Sequence, residues 1–288
     1  MIAGMLLVWY VLTAGALLFL IWDLWTNTPT SWVMRLAWIL VVAYTGPVGL
    51  FIYLLSCRQP LPGTHEPFIA AHWKQSVGSL MHCVAGDATG ILLAAILLYR
   101  AALPSGIDLS LEYAAGFLVG LFVFQALFRK LMTHEGYFSA VRQSFFPETV
   151  SMNMVMLGMI PTKFFLMHQL PGSDNPTTPI FWGIMSVATL VGMLTAYPIN
   201  SWMVARGIKH GMMSAIPTPK PGPLGPVPSP SQAVPAGQMA ASMAMPPHQG
   251  SPPKPVPATV AAGVLLGTMA VFLAAIWATS WFVPLKFT

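Results

Sequence analysis

Seven stretches of this chain are apolar for long enough to cross a lipid bilayer, and that leaves little choice of fold. A hydrocarbon core about 30 Å thick takes about 20 consecutive apolar residues in a helix. The stretches run over residues 3–22, 33–55, 76–98, 113–128, 150–168, 180–204 and 259–282. Backbone groups have no water to bond inside lipid, so each stretch is expected to be helical. The expected fold is therefore all-α: a polytopic transmembrane bundle whose partner is the lipid bilayer. Composition agrees, with 56% hydrophobic and only 7% charged residues.

The first stretch ends in "IWDLWTNTPT" and not in a small-residue cleavage site, so it reads as a retained span. Trp22, Trp25 and Trp32 cluster there as an interfacial belt. If all seven stretches cross, the even-numbered connections hold nine of the thirteen Lys and Arg: Arg58, Lys74, Arg129, Lys130, Arg142, Arg206, Lys209, Lys220 and Lys254. The positive-inside rule then places the N-terminus in the cytoplasm and the C-terminus outside. The net charge of +5 is accounted for by these loops and argues against nucleic acid as a partner.

Residues 217–257 differ from the rest, with fourteen prolines, no acid and no Phe, Trp or Tyr. Such a segment buries too little apolar surface to offset its ordering entropy, and it reads as a disordered tether able to recruit a protein partner. It divides the chain into a six-span core (1–216), the tether (217–257) and one appended span (258–288). Met239, Met243, Met245 and His248 within it suit Cu(I), which makes copper a candidate cofactor. The competing reading is low-complexity linker.

The third stretch carries chemistry that hydrocarbon penalises. At helical spacing Ser79, Cys83, Gly86 and Gly90 form one stripe of small side chains, suited to close helix packing. Asp87 lies on one edge of that stripe and His82 on the other. An aspartate at the centre of a span costs about 2.5–3.5 kcal/mol, so it must face the bundle or a cavity. His82, Cys83 and Asp87 are thus a candidate intramembrane polar site and a candidate metal set, in which His82 would need ligands from a neighbouring helix such as Met152, Asn153 or Met156. The alternative is that they bond across helices as polar glue. In the fifth stretch Met152, Met156 and Met159 read as packing, and Lys163 as a lysine that snorkels to the interface. In the sixth, Pro198 should kink the helix and Asn200 can answer the carbonyl it frees. Arg206 and Lys209 read as topology anchors.

"HWKQSVGSLMHCVAG" (Trp73, Gln75, Ser76, His82, Cys83, Ala85, Gly86) together with "AYPINSWMVARGIK" (Ala196, Tyr197, Pro198, Asn200, Trp202, Arg206, Gly207, Ile208, Lys209) resembles a family of bacterial polytopic membrane proteins built on a domain of unknown function (DUF4396-like). The resemblance implies a helical bundle in the bacterial inner membrane and carries no activity with it. Family members often place a second cysteine after that glycine and an acid four positions on, where this chain has Asp87 and Ile91. No phosphate-cradling loop, metalloprotease histidine pair or nucleophile elbow is present, which argues against a soluble-type enzyme. Three functions remain, in this order: transport or soft-metal handling through the third-span set, a non-catalytic membrane subunit or assembly partner, and a membrane enzyme.

Overall fold

Runs of Leu, Val, Ala and Phe build long helices here, and prolines and glycines set where they start. Pro104, Gly136 and Pro257 each stand immediately before a helix, Pro179 opens another, and Ser31 caps a fifth by accepting from Met34 N–H. The computed structural model describes residues 2–133, 136–212 and 256–284. In chain order its helices are α1 (Ile2–Thr26), α2 (Trp32–Ser56), the short α3 (His65–Ile69), α4 (His72–Leu98), α5 (Ser105–Leu118), α6 (Ala126–Thr133), α7 (Tyr137–Gln169), α8 (Pro179–Ala205) and α9 (Ala258–Ser280). A π-helical turn, Val119–Gln125, joins α5 to α6. There is no sheet among the described residues. All seven expected apolar stretches are helices long and apolar enough to cross a membrane, and the chain is an all-α membrane bundle.

α2 is not one rod. Gly46 has φ +59° and ψ −140°, open in practice only to glycine, and Pro47 follows without an N–H to return to Ala43. The chain doubles back there. A Cβ on Gly49 would lie 3.2 Å from Val42 Cα, seven residues earlier, and the rings of Trp38 and Tyr53 stack edge to face at 5.3 Å. The exit of the hairpin returns to the end of α1, where buried Asp23 accepts from Tyr53 Oη (2.6 Å), Thr28 Oγ1 (2.9 Å) and Arg58 Nε (2.9 Å). Gln59 accepts from Asn27 on the same face. The second apolar stretch is thus a re-entrant pair of half-helices, with its tip against Trp9 and Thr13 in the middle of α1.

That fold-back changes which chain ends lie together. Tyr10 bonds Pro179, and Leu6 packs on Gly183, so the start of α1 sits with the start of α8. His72 bonds Ser201, and Gln75 bonds the carbonyl of Met212, so the start of α4 sits with the exit of α8. The alternation of sides that follows from seven straight crossings does not hold. One end of the bundle carries Arg58, Arg129 and Arg206; the beginning of α1 is at the other. α9 runs alongside α7, through Asn153 to Thr268 (3.4 Å), and reaches α5 where Phe272 stacks on Tyr113.

Candidate functional site

α4 runs through the middle of the bundle, and its small residues let other helices come close. A Cβ on Gly86 would lie 2.5 Å from Gly120 Cα, and one on Gly90 would lie 2.6 Å from Gly116 Cα. The stripe therefore packs against α5 and the π-helical turn. Around it the helices bury an unusual set of polar side chains: His82, Cys83 and Asp87 from α4, Gln125 from the turn, Glu148 and Ser151 from α7, Asn200 from α8, and Lys209 from the segment after α8.

Two groupings divide the cluster. Lys209 is 5% exposed, and its ammonium bonds Cys83 Sγ and Asn200 Oδ1 (2.9 Å). Gln125 Nε2 also donates to Cys83 Sγ (2.7 Å), and Asn200 Nδ2 bonds Ser151 Oγ (2.9 Å) and the Ala196 carbonyl (2.9 Å). Asn200 thus bonds a backbone carbonyl near Pro198 and joins α7, α8 and the tail of α8. The second grouping is a carboxylate pair. Asp87 and Glu148 are both 0% exposed and both reach Gly120, where a Cβ would overlap Asp87 Oδ1 and Glu148 Oε1. Asp87 and Glu148 face each other, and the Gln125 amide and the Cys83 thiol lie on the Glu148 side of the pair. The missing side chain at Gly120 is what lets two acids from two helices meet, and π-helical turns of this kind recur at functional positions.

His82 stands apart from both. Its ring packs on Phe128 at a centroid distance of 3.6 Å, and neither ring nitrogen has a partner. Among the described residues no group of three or more His, Cys, Asp and Glu side chains is placed to hold a metal ion, and that includes the set His82, Cys83 and Asp87. Met152 packs on Gly116, Met159 on Gly192, and Asn153 accepts from Tyr113, so none of them completes a site at His82. Met239, Met243, Met245 and His248 lie outside the described residues. Lys163 does not snorkel; it is buried and paired with buried Glu112 on α5.

Glu148, Gln125, Gly120 and Lys209 are the site residues that reading by hydropathy misses. Glu148 precedes the apolar window of the fifth stretch, yet α7 begins eleven residues before it. Lys209 looks like a loop anchor because nothing local says that the chain after Ala205 turns inward. It does so through N–H bonds from Ile208 and Lys209 to the Met203 carbonyl, with buried Met212 seated on Gly78.

The fold and site together define a polytopic helical membrane protein with an acid pair and a buried cation at its centre. Residues 72–209 match the model of the family described as a domain of unknown function (DUF4396). The segment opens at the first residue of α4 and closes on Lys209, so it contains every member of the cluster. No curated protein and no solved structure gives a significant match.

Proposed function

We propose that the protein moves a small solute or ion across the membrane, with Asp87 and Glu148 as its proton- or cation-carrying element. The observation that carries this reading is the meeting of two fully buried acids from different helices over Gly120. Two adjacent carboxylates cannot both stay ionised in a dry core, so the pair holds one proton. With the Lys209 ammonium, the cluster is then neutral with one exchangeable proton. Soft-metal handling has less support, because the Cys83 sulfur is engaged by Lys209 and Gln125.

The test is proton movement in proteoliposomes under an imposed potential, read with an entrapped pH dye. Wild-type protein should carry protons above the protein-free background. Asp87→Asn and Glu148→Gln should each bring that rate down towards the protein-free background, with the thermal transition retained. Equal rates in all three proteins would overturn the proposal, and so would a stoichiometric copurifying partner in whose absence the wild type carries nothing.

We infer further that the end carrying Arg35, Arg58, Lys74, Arg129, Lys130, Arg142, Arg206 and Lys209 faces the cytoplasm of a bacterial inner membrane. Arg100, between α4 and α5, belongs to the other end. Because α2 is re-entrant, this orientation puts the beginning of α1 outside, together with the end of α9.

A further inference from the structure

A cavity of about 90 Å³ lies at the tip of the α2 hairpin, between α1, α4 and α8. Leu92 places it about one helical turn further along α4 than Asp87, and its wall contains no acid or base. Its wall includes Tyr10, Thr13, Tyr44 and Thr189, and in each of these the hydroxyl hydrogen is committed elsewhere. Thr13 donates to the Trp9 carbonyl (2.8 Å), Thr189 to the Met185 carbonyl (2.8 Å) and Tyr10 to the Pro179 carbonyl. Thr89 gives its single hydrogen to the Ala85 carbonyl, so in the 2.8 Å contact between Tyr44 and Thr89 it is Tyr44 that donates. The hydroxyl oxygens of these four wall residues are therefore left as acceptors only. Trp182 likewise spends its indole hydrogen on the Pro176 carbonyl (2.9 Å), which leaves Ser186 and Trp9 as the uncommitted donors of the wall.

The hairpin adds to this. Ala43 lines the cavity, and the proline at position 47 has no hydrogen to offer its carbonyl. Interrupted helices at membrane depth are tolerated where they line a cavity, and their C-terminal ends carry partial negative charge suited to cations. An anion would find almost no donors. A multivalent ion would find no carboxylate to balance it.

We propose that this cavity binds a monovalent cation, Na⁺, K⁺ or ammonium, stripped of most of its water. The volume holds one such ion with a few waters, since a water occupies about 30 Å³, and excludes a larger solute. The site is independent of the acid pair.

The test is thermal unfolding of the purified full chain in lipid nanodiscs in NaCl, KCl, NH₄Cl or N-methylglucamine chloride at equal ionic strength. One of the three small cations should raise Tm by a few degrees, saturably, over N-methylglucamine. Thr13→Val, Thr189→Val and Tyr44→Phe each remove one oxygen at nearly constant shape. Each should raise the ion concentration at half-saturation at least tenfold, while Thr189→Ser, which keeps the oxygen, should leave it close to the wild-type value. Should one of the valine variants fail to fold, Tyr44→Phe and Thr189→Ser still decide the matter. Asp87→Asn should leave the rise intact. Identical Tm in all four salts, a rise unchanged in the oxygen-removing variants, or a rise lost in Asp87→Asn would each overturn the assignment.

Discussion

Gly120 and Lys209 control the cluster in opposite ways, one by what it lacks and one by the charge it brings. Gly120→Ala would put a methyl group where Glu148 Oε1 and Asp87 Oδ1 meet. It should lower stability by about 1–3 kcal/mol, the usual cost of overpacking a core, and it should reduce proton movement as much as Asp87→Asn does. Unchanged proton movement in a folded Gly120→Ala protein would show that the acids need not touch. Lys209→Met removes the buried cation and keeps the bulk of the side chain. It should destabilise the fold by about 3 kcal/mol, because it leaves the acid pair uncompensated, and adding Glu148→Gln should recover part of that loss in a double-mutant comparison. Simple additivity of the two changes would deny the coupling. Of this site, Asp87, Cys83 and His82 were legible, since polar residues inside an apolar run declare themselves. Their partners were not: a helix periodicity shows which side chains share a face, but not which residue of another helix will stand across from it.

At the scale of elements, α2 depends on one dihedral pair and one buried acid. Gly46→Ala would place a Cβ 2.6 Å from Thr13 Oγ1 in a backbone region that alanine avoids. A cost of about 3 kcal/mol is expected, from strain and overlap together. Asp23→Ala should cost about as much, since it strips four donors (Tyr53, Thr28, Arg58 and Asn27) of their shared acceptor at the hairpin mouth. Denaturation of the two variants in the same lipid would check both; a change below 1 kcal/mol in either would mean that the hairpin is held by something else. The signal for the fold-back was in the chain as Gly-Pro at positions 46 and 47, inside an otherwise unbroken apolar run. Hydropathy averages across such a break, and 25 apolar residues look alike to it whether they run straight or turn back halfway.

For the whole molecule, the expected consequence is that both chain ends lie on one side. Reporter fusions before α1 and after α9 should both read outside, and a fusion after Met212 should read cytoplasm; a cytoplasmic reading at the start of α1 would require α2 to cross fully and would contradict the hairpin. The fold class, the seven apolar helices and the family segment were accessible from composition, length and motif, because lipid imposes those on the sequence directly. Sidedness was not, because it rests on parity, and parity turns on a single glycine. The joint at the basic end has a mechanical meaning as well. Gln75 Nε2 holds the carbonyls of Ile69 and Met212 together, and Gly211 is wedged against the same side chain. Three residues before Met212, Lys209 is anchored on Cys83. The short run of chain between Lys209 and Met212 therefore ties the surface joint directly to an ammonium group inside the bundle.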